Sequence, residues 1–343
     1  MSLSMVPLGS DGPGTTCLGI GCADLFRLFS SRERAHLFHT AYDAGIRHFD
    51  VAPMYGFGLA ERELGAFARR RRTELTIATK FGIRPTTISR CLAPAQGPLR
   101  TVVESRPGLR ERARAHAAGP AKGLVGRLLY APEDYDASGA QRGLERSLRA
   151  LNTDYLDLLL LHDPLPGRVR SDEVAAYLER ARTAGLIRSW GVAGEPEPTV
   201  AVARSFRGDV PILQVRDDVF LRSLHGAPTG PSFITFGVLR RALATVVSHV
   251  AADRSTRDRW HQEIGADCGN SEVAASFLLQ AALRENGHGI VLFSTVHASR
   301  IRAAVEAVET FQASGGPALD GFLRMVDLEL RPSYGGANGD HSG

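Results

Sequence analysis

Three short apolar runs in this chain each end in a polar residue that a buried strand does not need. They are Asp50 in His48-Phe49-Asp50, Lys80 in Ile77-Ala78-Thr79-Lys80, and His162 in Leu160-Leu161-His162. Tyr55 follows Asp50 by five residues, near enough to fold back over the same strand end. A phenol, an ammonium, a carboxylate and an imidazole together suit one chemistry: a proton goes to a carbonyl oxygen while a hydride reaches its carbon, or the reverse. Free tyrosine, with a pKa of about 10, is a reluctant acid. A neighbouring ammonium such as Lys80 stabilises the phenolate, and Asp50 holds that ammonium charged and in place. His162, as a neutral donor, orients and polarises the carbonyl. Each residue alone has an ordinary structural reading, as an ion pair, a hydrogen-bonded core histidine or a packing tyrosine. Their convergence at successive strand ends is what points to a site.

Such convergence needs a scaffold that brings strand ends together. From residue 31 to 310 the sequence repeats one unit: an amphipathic helical segment, a Gly or Pro, then a short apolar run, which argues for a parallel sheet. Ser30 and Glu33 form a capping box, and Gly45 closes that first helix before a strand over Ile46–Val51. Further helix and strand pairs are expected at 60–72 with 75–80, 138–151 with 155–162, 171–184 with 187–192, and 199–206 with 212–215. A strand at 233–239, a helix at 271–285 with a strand at 290–295, and a final helix at 300–311 complete the series. The run Leu156-Asp157-Leu158-Leu159-Leu160-Leu161 is apolar on both faces apart from Asp157, as a strand between barrel interior and outer helices must be. With Leu18–Cys22 as the first, there are eight strands, the number that closes a (β/α)8 TIM barrel whose polar strand ends share one mouth. An open two-layer sheet is the alternative. One domain over 1–343 is expected, with a barrel core at about 15–312. A basic insertion over 84–137 follows the third strand at the barrel mouth. A C-terminal extension over 313–343 should be a packed piece followed by a disordered tail.

Composition narrows the function. The chain has 343 residues, 43% apolar and 23% charged, which is ordinary globular content. Cys17, Cys22, Cys91 and Cys268 make no C-x-x-C pair, so neither a disulfide framework nor a metal site is indicated. No leader pattern and no 18-residue apolar run are present, which reads as a cytoplasmic protein without a membrane span. Residues 84–127 carry nine Lys or Arg against Glu104 and Glu111, a local excess of +7 on a chain of net +4. That stretch is either a solvated loop or an electropositive rim for an anionic cofactor or substrate. It lacks the interleaved aromatics of a nucleic-acid surface, so a small molecule is the expected partner and a monomer the default.

The segments Asp50-Val51-Ala52-Pro53-Met54-Tyr55-Gly56, Thr79-Lys80-Phe81-Gly82 and Leu161-His162-Asp163-Pro164 resemble the motifs of the aldo-keto reductase family, over roughly Leu18 to Val308. The resemblance implies Tyr55 as general acid, Lys80 and Asp50 as its tuning pair, and His162 as substrate orienter. Asp136 to Gly139, Arg142, Leu144 to Leu148 and Tyr155 to Asp157 are similar to a bacterial aldose-dehydrogenase branch, which raises sugars, oxidised to lactones, beside aldehydes and ketones as substrates.

For the cofactor, Gly56-Phe57-Gly58-Leu59-Ala60-Glu61 lacks the third glycine of a Rossmann turn and follows Tyr55 instead of a strand. By resemblance, Gly21 and Cys22 lie beneath a nicotinamide, Gln214 bonds its carboxamide and Phe236 stacks on the ring. Gly237 and Leu239 meet the pyrophosphate, while Ser294, Thr295 and Arg300 meet the adenosine 2′-phosphate. A guanidinium forks onto phosphate, so Arg300 favours NADP, with NAD as the other possibility. Three departures bear on cofactor affinity: Ala193-Gly194 stands for a usual Ser-Asn, Ser294 for a lysine and Ala303-Ala304 for Glu-Asn. They motivate a rival reading, a nicotinamide-binding sensor barrel with vestigial turnover. A metal-dependent hydrolase using Asp50, His162 and Asp163 is a second rival, disfavoured by the positive charge of Lys80 beside the ion. Phe26, Met54, Phe57, Tyr130 and His225 are candidate lining of the mouth.

Overall fold

A computed structural model describes residues 3–9, 12–92, 128–314 and 316–331. An antiparallel hairpin of β1 (Met5–Pro7) and β2 (Gly14–Thr16) leads in and puts Leu3, Val6 and Leu8 into the main core. Next come β3 (Leu18–Gly21), α1 (Ser31–Asp43), β4 (His48–Asp50), α2 (Leu59–Ala68) and β5 (Thr76–Phe81). The Ser30 hydroxyl accepts from Glu33 N at 3.1 Å while Ser30 N donates to the Glu33 carboxylate at 3.0 Å, the capping box expected there. A second hairpin, β6 (Ile83–Pro85) with β7 (Tyr130–Pro132), flanks α3 (Thr87–Leu92) and the basic stretch, of which 93–127 lie outside the described residues.

The chain continues through α4 (Ala137–Leu151), β8 (Leu156–His162), α5 (Ser171–Thr183), β9 (Ile187–Gly194), α6 (Pro196–Ala203), β10 (Ile212–Arg216) and β11 (Ser232–Phe236). It then forms α7 (Ala242–Val250), α8 (Arg254–Ile264), α9 (Ser271–Glu285), β12 (Ile290–Phe293), α10 (Ala298–Ser314) and α11 (Pro317–Met325). The eight strands β3, β4, β5, β8, β9, β10, β11 and β12 pair in that order, all parallel, and β12 pairs with β3 to close the barrel. This is the (β/α)8 barrel read from the sequence.

Closure sets which way each side chain faces. β8 is buried along its whole length, its leucines split between the barrel interior and the helical ring. Asp157, on the same strand, is fully buried and held by Arg72 at 2.8 Å, Arg188 at 3.3 Å and Ile77 N at 2.9 Å. A second apolar cluster lies outside the barrel. Trp260 of α8 meets Phe322 of α11 edge-on at 5.9 Å, and Phe322 stacks on Phe277 of α9 at 5.3 Å. A π-helical turn, Val326–Leu330, follows α11, and its Glu329 accepts from Trp260 Nε1 (3.0 Å), His249 Nε2 (2.7 Å) and Arg259 (3.2 Å). Residues 332–343, where a disordered tail is expected, lie outside the described residues. Among the described residues no helix is long and apolar enough to cross a membrane.

Candidate active site

Parallel pairing aligns Gly21, Asp50 and Ala78 across β3, β4 and β5, so residues just beyond that register emerge together at one end of the barrel. There Lys80 Nζ lies 2.5 Å from Asp50 Oδ1 and also donates to the Val51 carbonyl at 3.2 Å. Asp50, Lys80 and His162 are 3%, 2% and 7% exposed, so this ion pair works in a water-poor setting where charge interactions are strong. The other Asp50 oxygen accepts from Gln214 Nε2 at 2.9 Å. Both carboxylate oxygens are thus engaged by β5 and β10.

Tyr55 stands on a tight turn over Tyr55–Gly58, with Phe57 in left-handed backbone at φ 56 between two left-handed glycines. A bulky residue in that region is strained, a condition found where surrounding structure over-determines a site. What fixes it is close packing: a Cβ on Gly56 would lie 2.2 Å from the Phe26 ring. The turn sets the Tyr55 ring 5.3 Å from Lys80 Nζ and edge-on to His162 at 6.1 Å between centroids. The four residues predicted to converge therefore do so.

Burial pushes the Tyr55 phenol up to about 12, against the downward pull of Lys80. This differs from the expectation that the lysine would leave tyrosine an easier acid than in water. Burial outweighs the ammonium, so the phenol keeps its proton at neutral pH. Burial alone would lower Lys80, but Asp50 and Tyr55 overcome it and raise the lysine above its ordinary value. Burial, with Lys80 adding to it, holds His162 well below the ordinary histidine value, so its ring is neutral. The site contains one certain cation and two neutral proton carriers.

Of the remaining expected residues, Cys22 and Gln214 bond to Asp50, and the others stand at or after the ends of β3, β11 and β12. Cys22 N donates to the Asp50 carbonyl at 2.8 Å, and burial pushes the Cys22 thiol far up. Gly21 abuts the loop after β12, since a Cβ on it would sit 2.7 Å from Ser294 Oγ. Phe236 ends β11 half-buried, its carbonyl accepting from Asp217 N at 2.9 Å; Gly237 follows at φ 84, and Leu239 packs between both apolar clusters. Thr295 Oγ1 accepts from His297 N at 3.1 Å, and Arg300 is exposed, its guanidinium unpaired among the described residues. Gln214 is the residue whose placement adds most to the sequence reading, because its amide nitrogen is given to Asp50.

Of the lining candidates, Phe57 meets Tyr130 at 5.8 Å and Met54 is buried, whereas His225 pairs with Glu285 at 2.6 Å. Asp163 was read as part of the His162 motif and as a ligand in the metal-hydrolase alternative. It takes left-handed backbone at φ 49, with its carboxylate 3.9 Å from His162 Nε2. No group of three or more metal-ligating side chains is assembled among the described residues.

Comparison with known proteins places these motifs. The family model described as Aldo/keto reductase family matches residues 17–216. The chain is 32% identical over 199 residues to a D-threo-aldose 1-dehydrogenase of Pseudomonas sp, covering 56% of this chain and 54% of that protein. It is 34% identical over 161 residues to a pyridoxal 4-dehydrogenase of Microbacterium luteolum, covering 46% and 42%. The match therefore spans about half the length of these curated relatives. Among solved structures, the glycerol dehydrogenase of Gluconobacter oxydans superposes with a TM-score of 0.62 at 17% identity, over 95% of this chain and 97% of that one, a likeness of fold. The family model covers more than half of the chain and includes Asp50, Tyr55, Lys80 and His162: this protein belongs to the aldo/keto reductase family.

Proposed function

We propose that this chain is a nicotinamide-dependent oxidoreductase that interconverts an aldehyde or ketone and its alcohol, or a sugar and its lactone, with Tyr55 as general acid and base. The observation that carries the reading is the buried Lys80–Asp50 pair at 2.5 Å, with the Tyr55 ring 5.3 Å from the ammonium and the neutral His162 beside it. When bound, the dinucleotide supplies or accepts the hydride. Everything else is done by side chains. Tyr55, protonated at neutral pH, donates to the carbonyl oxygen, and Lys80 neutralises the phenolate left behind. Asp50 keeps Lys80 charged, and Gln214 holds the second Asp50 oxygen so that the carboxylate does not turn away. A neutral His162 has one N–H to offer the same oxygen, which orients the carbonyl without competing for the proton.

The surroundings fit a dinucleotide. Gly21 leaves backbone bare beside Ser294, Phe236 ends β11 half-buried, and Arg300 is exposed and unpaired among the described residues at the start of α10. The Arg300 guanidinium supports NADP over NAD. Similarity to an enzyme named for D-threo-aldose supports a sugar substrate, with small aldehydes as the wider class. The whole chain acts as one barrel, and the excess positive charge carried by the sequence over 84–127 suits an anionic ligand.

Fluorescence titration with NADPH and NADH, followed by absorbance assays with aldehydes and aldoses, tests this. Tight NADPH binding with turnover is expected. Tyr55→Phe should retain cofactor binding while losing turnover by at least about a hundredfold, the usual scale for a general acid. Unchanged turnover refutes the mechanism, and binding without any turnover moves the chain to the sensor reading.

A further inference from the structure

The imidazole of His162 lacks the usual device for aiming a catalytic histidine. Among the described residues its buried Nδ1 has no hydrogen-bond partner, and its Nε2 lies 3.9 Å from the Asp163 carboxylate, beyond hydrogen-bond reach. Histidines that must present one nitrogen are normally fixed by a bond at the other. Here the ring direction is inherited from the backbone, at the point where β8 leaves the sheet and turns through left-handed Asp163. The His162 carbonyl at that point accepts a hydrogen bond from the Tyr135 hydroxyl.

Tyr135 is itself held from several directions. Its ring packs on Phe81 at 6.0 Å and lies over Gly82, where φ is 111 and a Cβ would sit 2.2 Å from the ring. Its carbonyl accepts from Arg170 N at 2.9 Å. Two residues earlier, Glu133 N donates to the Gly82 carbonyl at 2.8 Å while Arg146 grips the Glu133 carboxylate at 2.7 and 2.8 Å. Tyr135 therefore bridges the end of β5, which carries Lys80, and the end of β8, which carries His162. Packing alone would be served by phenylalanine; the hydroxyl is what reaches the His162 carbonyl. Burial, with Asp163 and Glu133 nearby, keeps that phenol protonated.

We propose that Tyr135 is a positioning residue: its hydroxyl fixes the strand end from which His162 addresses the substrate, so the exit of the basic insertion is coupled to the reaction. This rests on the role given to His162 above. In Tyr135→Phe, kcat should fall about five- to tenfold, the scale of one lost hydrogen bond and a slightly misaimed donor. NADPH affinity should stay within twofold. A purely structural tyrosine would lower the melting temperature and leave kcat of the folded enzyme unchanged, which overturns the proposal.

A second readout does not depend on turnover. In ¹⁵N-histidine-labelled protein, with His162→Ala identifying the signals, Tyr135→Phe should shift or broaden the His162 ring resonances and leave most other histidines in place. Ring fluorination of Tyr135, which keeps the hydroxyl and sharpens it as a donor, should shift the same resonances should the phenylalanine variant not fold. Unmoved His162 signals in the available variant refute the positioning role whether or not the protein turns over. Absent turnover in the wild type, with shifted signals, would instead fault the reading of the reaction.

Discussion

Asp50→Asn isolates what the buried ion pair does. The substitution keeps size and shape but leaves the Lys80 ammonium, 2% exposed, without its counter-charge 2.5 Å away. It also sets an amide near Gln214 Nε2, where the carboxylate accepted at 2.9 Å. Removing one member of a buried pair typically costs about 3–5 kcal/mol, because the other charge stays buried and unpaired. With an unfolding entropy of about 2.1 cal/mol/K per residue over 343 residues, that corresponds to a melting temperature lower by about 4–7 °C. Adding Lys80→Met should recover a large part of the loss, since a long apolar side chain in the same place carries no charge to strand. The pH dependence has a definite sign. In the wild type Lys80 is raised above 10.5, so its contribution is complete below that pH and is lost as pH climbs through the higher folded value. In Asp50→Asn, burial dominates and the folded lysine falls below 10.5, so stability should instead rise as pH goes from 7 to 10. Thermal denaturation of the four proteins in the cycle, from pH 6 to 10, decides it. A loss for Asp50→Asn no larger than that of a surface change, or a double variant additively worse than either single, would refute the account.

Arg300→Ala should weaken NADPH binding by about tenfold or more and leave NADH within about twofold, as expected for loss of a charge-assisted phosphate contact; equal losses would mean that Arg300 does not read the 2′-phosphate. Glu329 lies below its ordinary value because bonds from His249, Trp260 and Arg259 outweigh its burial. Its contribution is present above pH 4.5 and lost as pH falls through the folded value, so Glu329→Gln should cost about 1–3 kcal/mol at pH 7 and much less near pH 4, by urea unfolding followed with tryptophan fluorescence. Burial, with Asp218 and Glu285 nearby, lifts Asp217 to about 6, so the fold prefers its neutral form. That preference stabilises fully below pH 3.8 and is lost as pH rises through 6; Asp217→Asn should therefore gain about 1–3 kcal/mol at pH 8 and nothing near pH 4. An equal effect at both pH values would contradict it.

The barrel was legible because its strands are short, buried on both faces and punctuated. Leu156 to Leu161 admits hardly any other reading, and Ser30 with Glu33 marks a helix start that the structure closes with both bonds. Helix α8 escaped notice for the opposite reason. Its buried residues are Thr256, Trp260 and Ile264, a stripe too narrow to show a period in so polar a segment. The β1–β2 hairpin, three residues on each side, is shorter than any pattern can register. At the site, residue types and strand ends were enough to find Asp50, Tyr55, Lys80 and His162. The bond from Gln214 to Asp50 joins residues 164 apart, and that from Tyr135 to His162 crosses between strand ends. Both depend on where the chain travels after the motif, which local spacing does not encode. The direction of the Tyr55 shift was also invisible, because it is set by how far the folded chain removes the phenol from water.

Barrel closure has a consequence for how the chain is made. The seam is the pairing of Leu18 with Val291 and of Ile20 with Phe293, so the first barrel strand finds its second neighbour in the last. At a synthesis rate of about 5–20 residues per second, that partner leaves the ribosome about 15–55 seconds after the first strand. Throughout that interval β3 has one open edge, the kind of surface that pairs with other chains. Newly made protein is therefore most vulnerable just before β12 appears, and a chain truncated ahead of Ile290 should aggregate even though Asp50, Tyr55, Lys80 and His162 are already present.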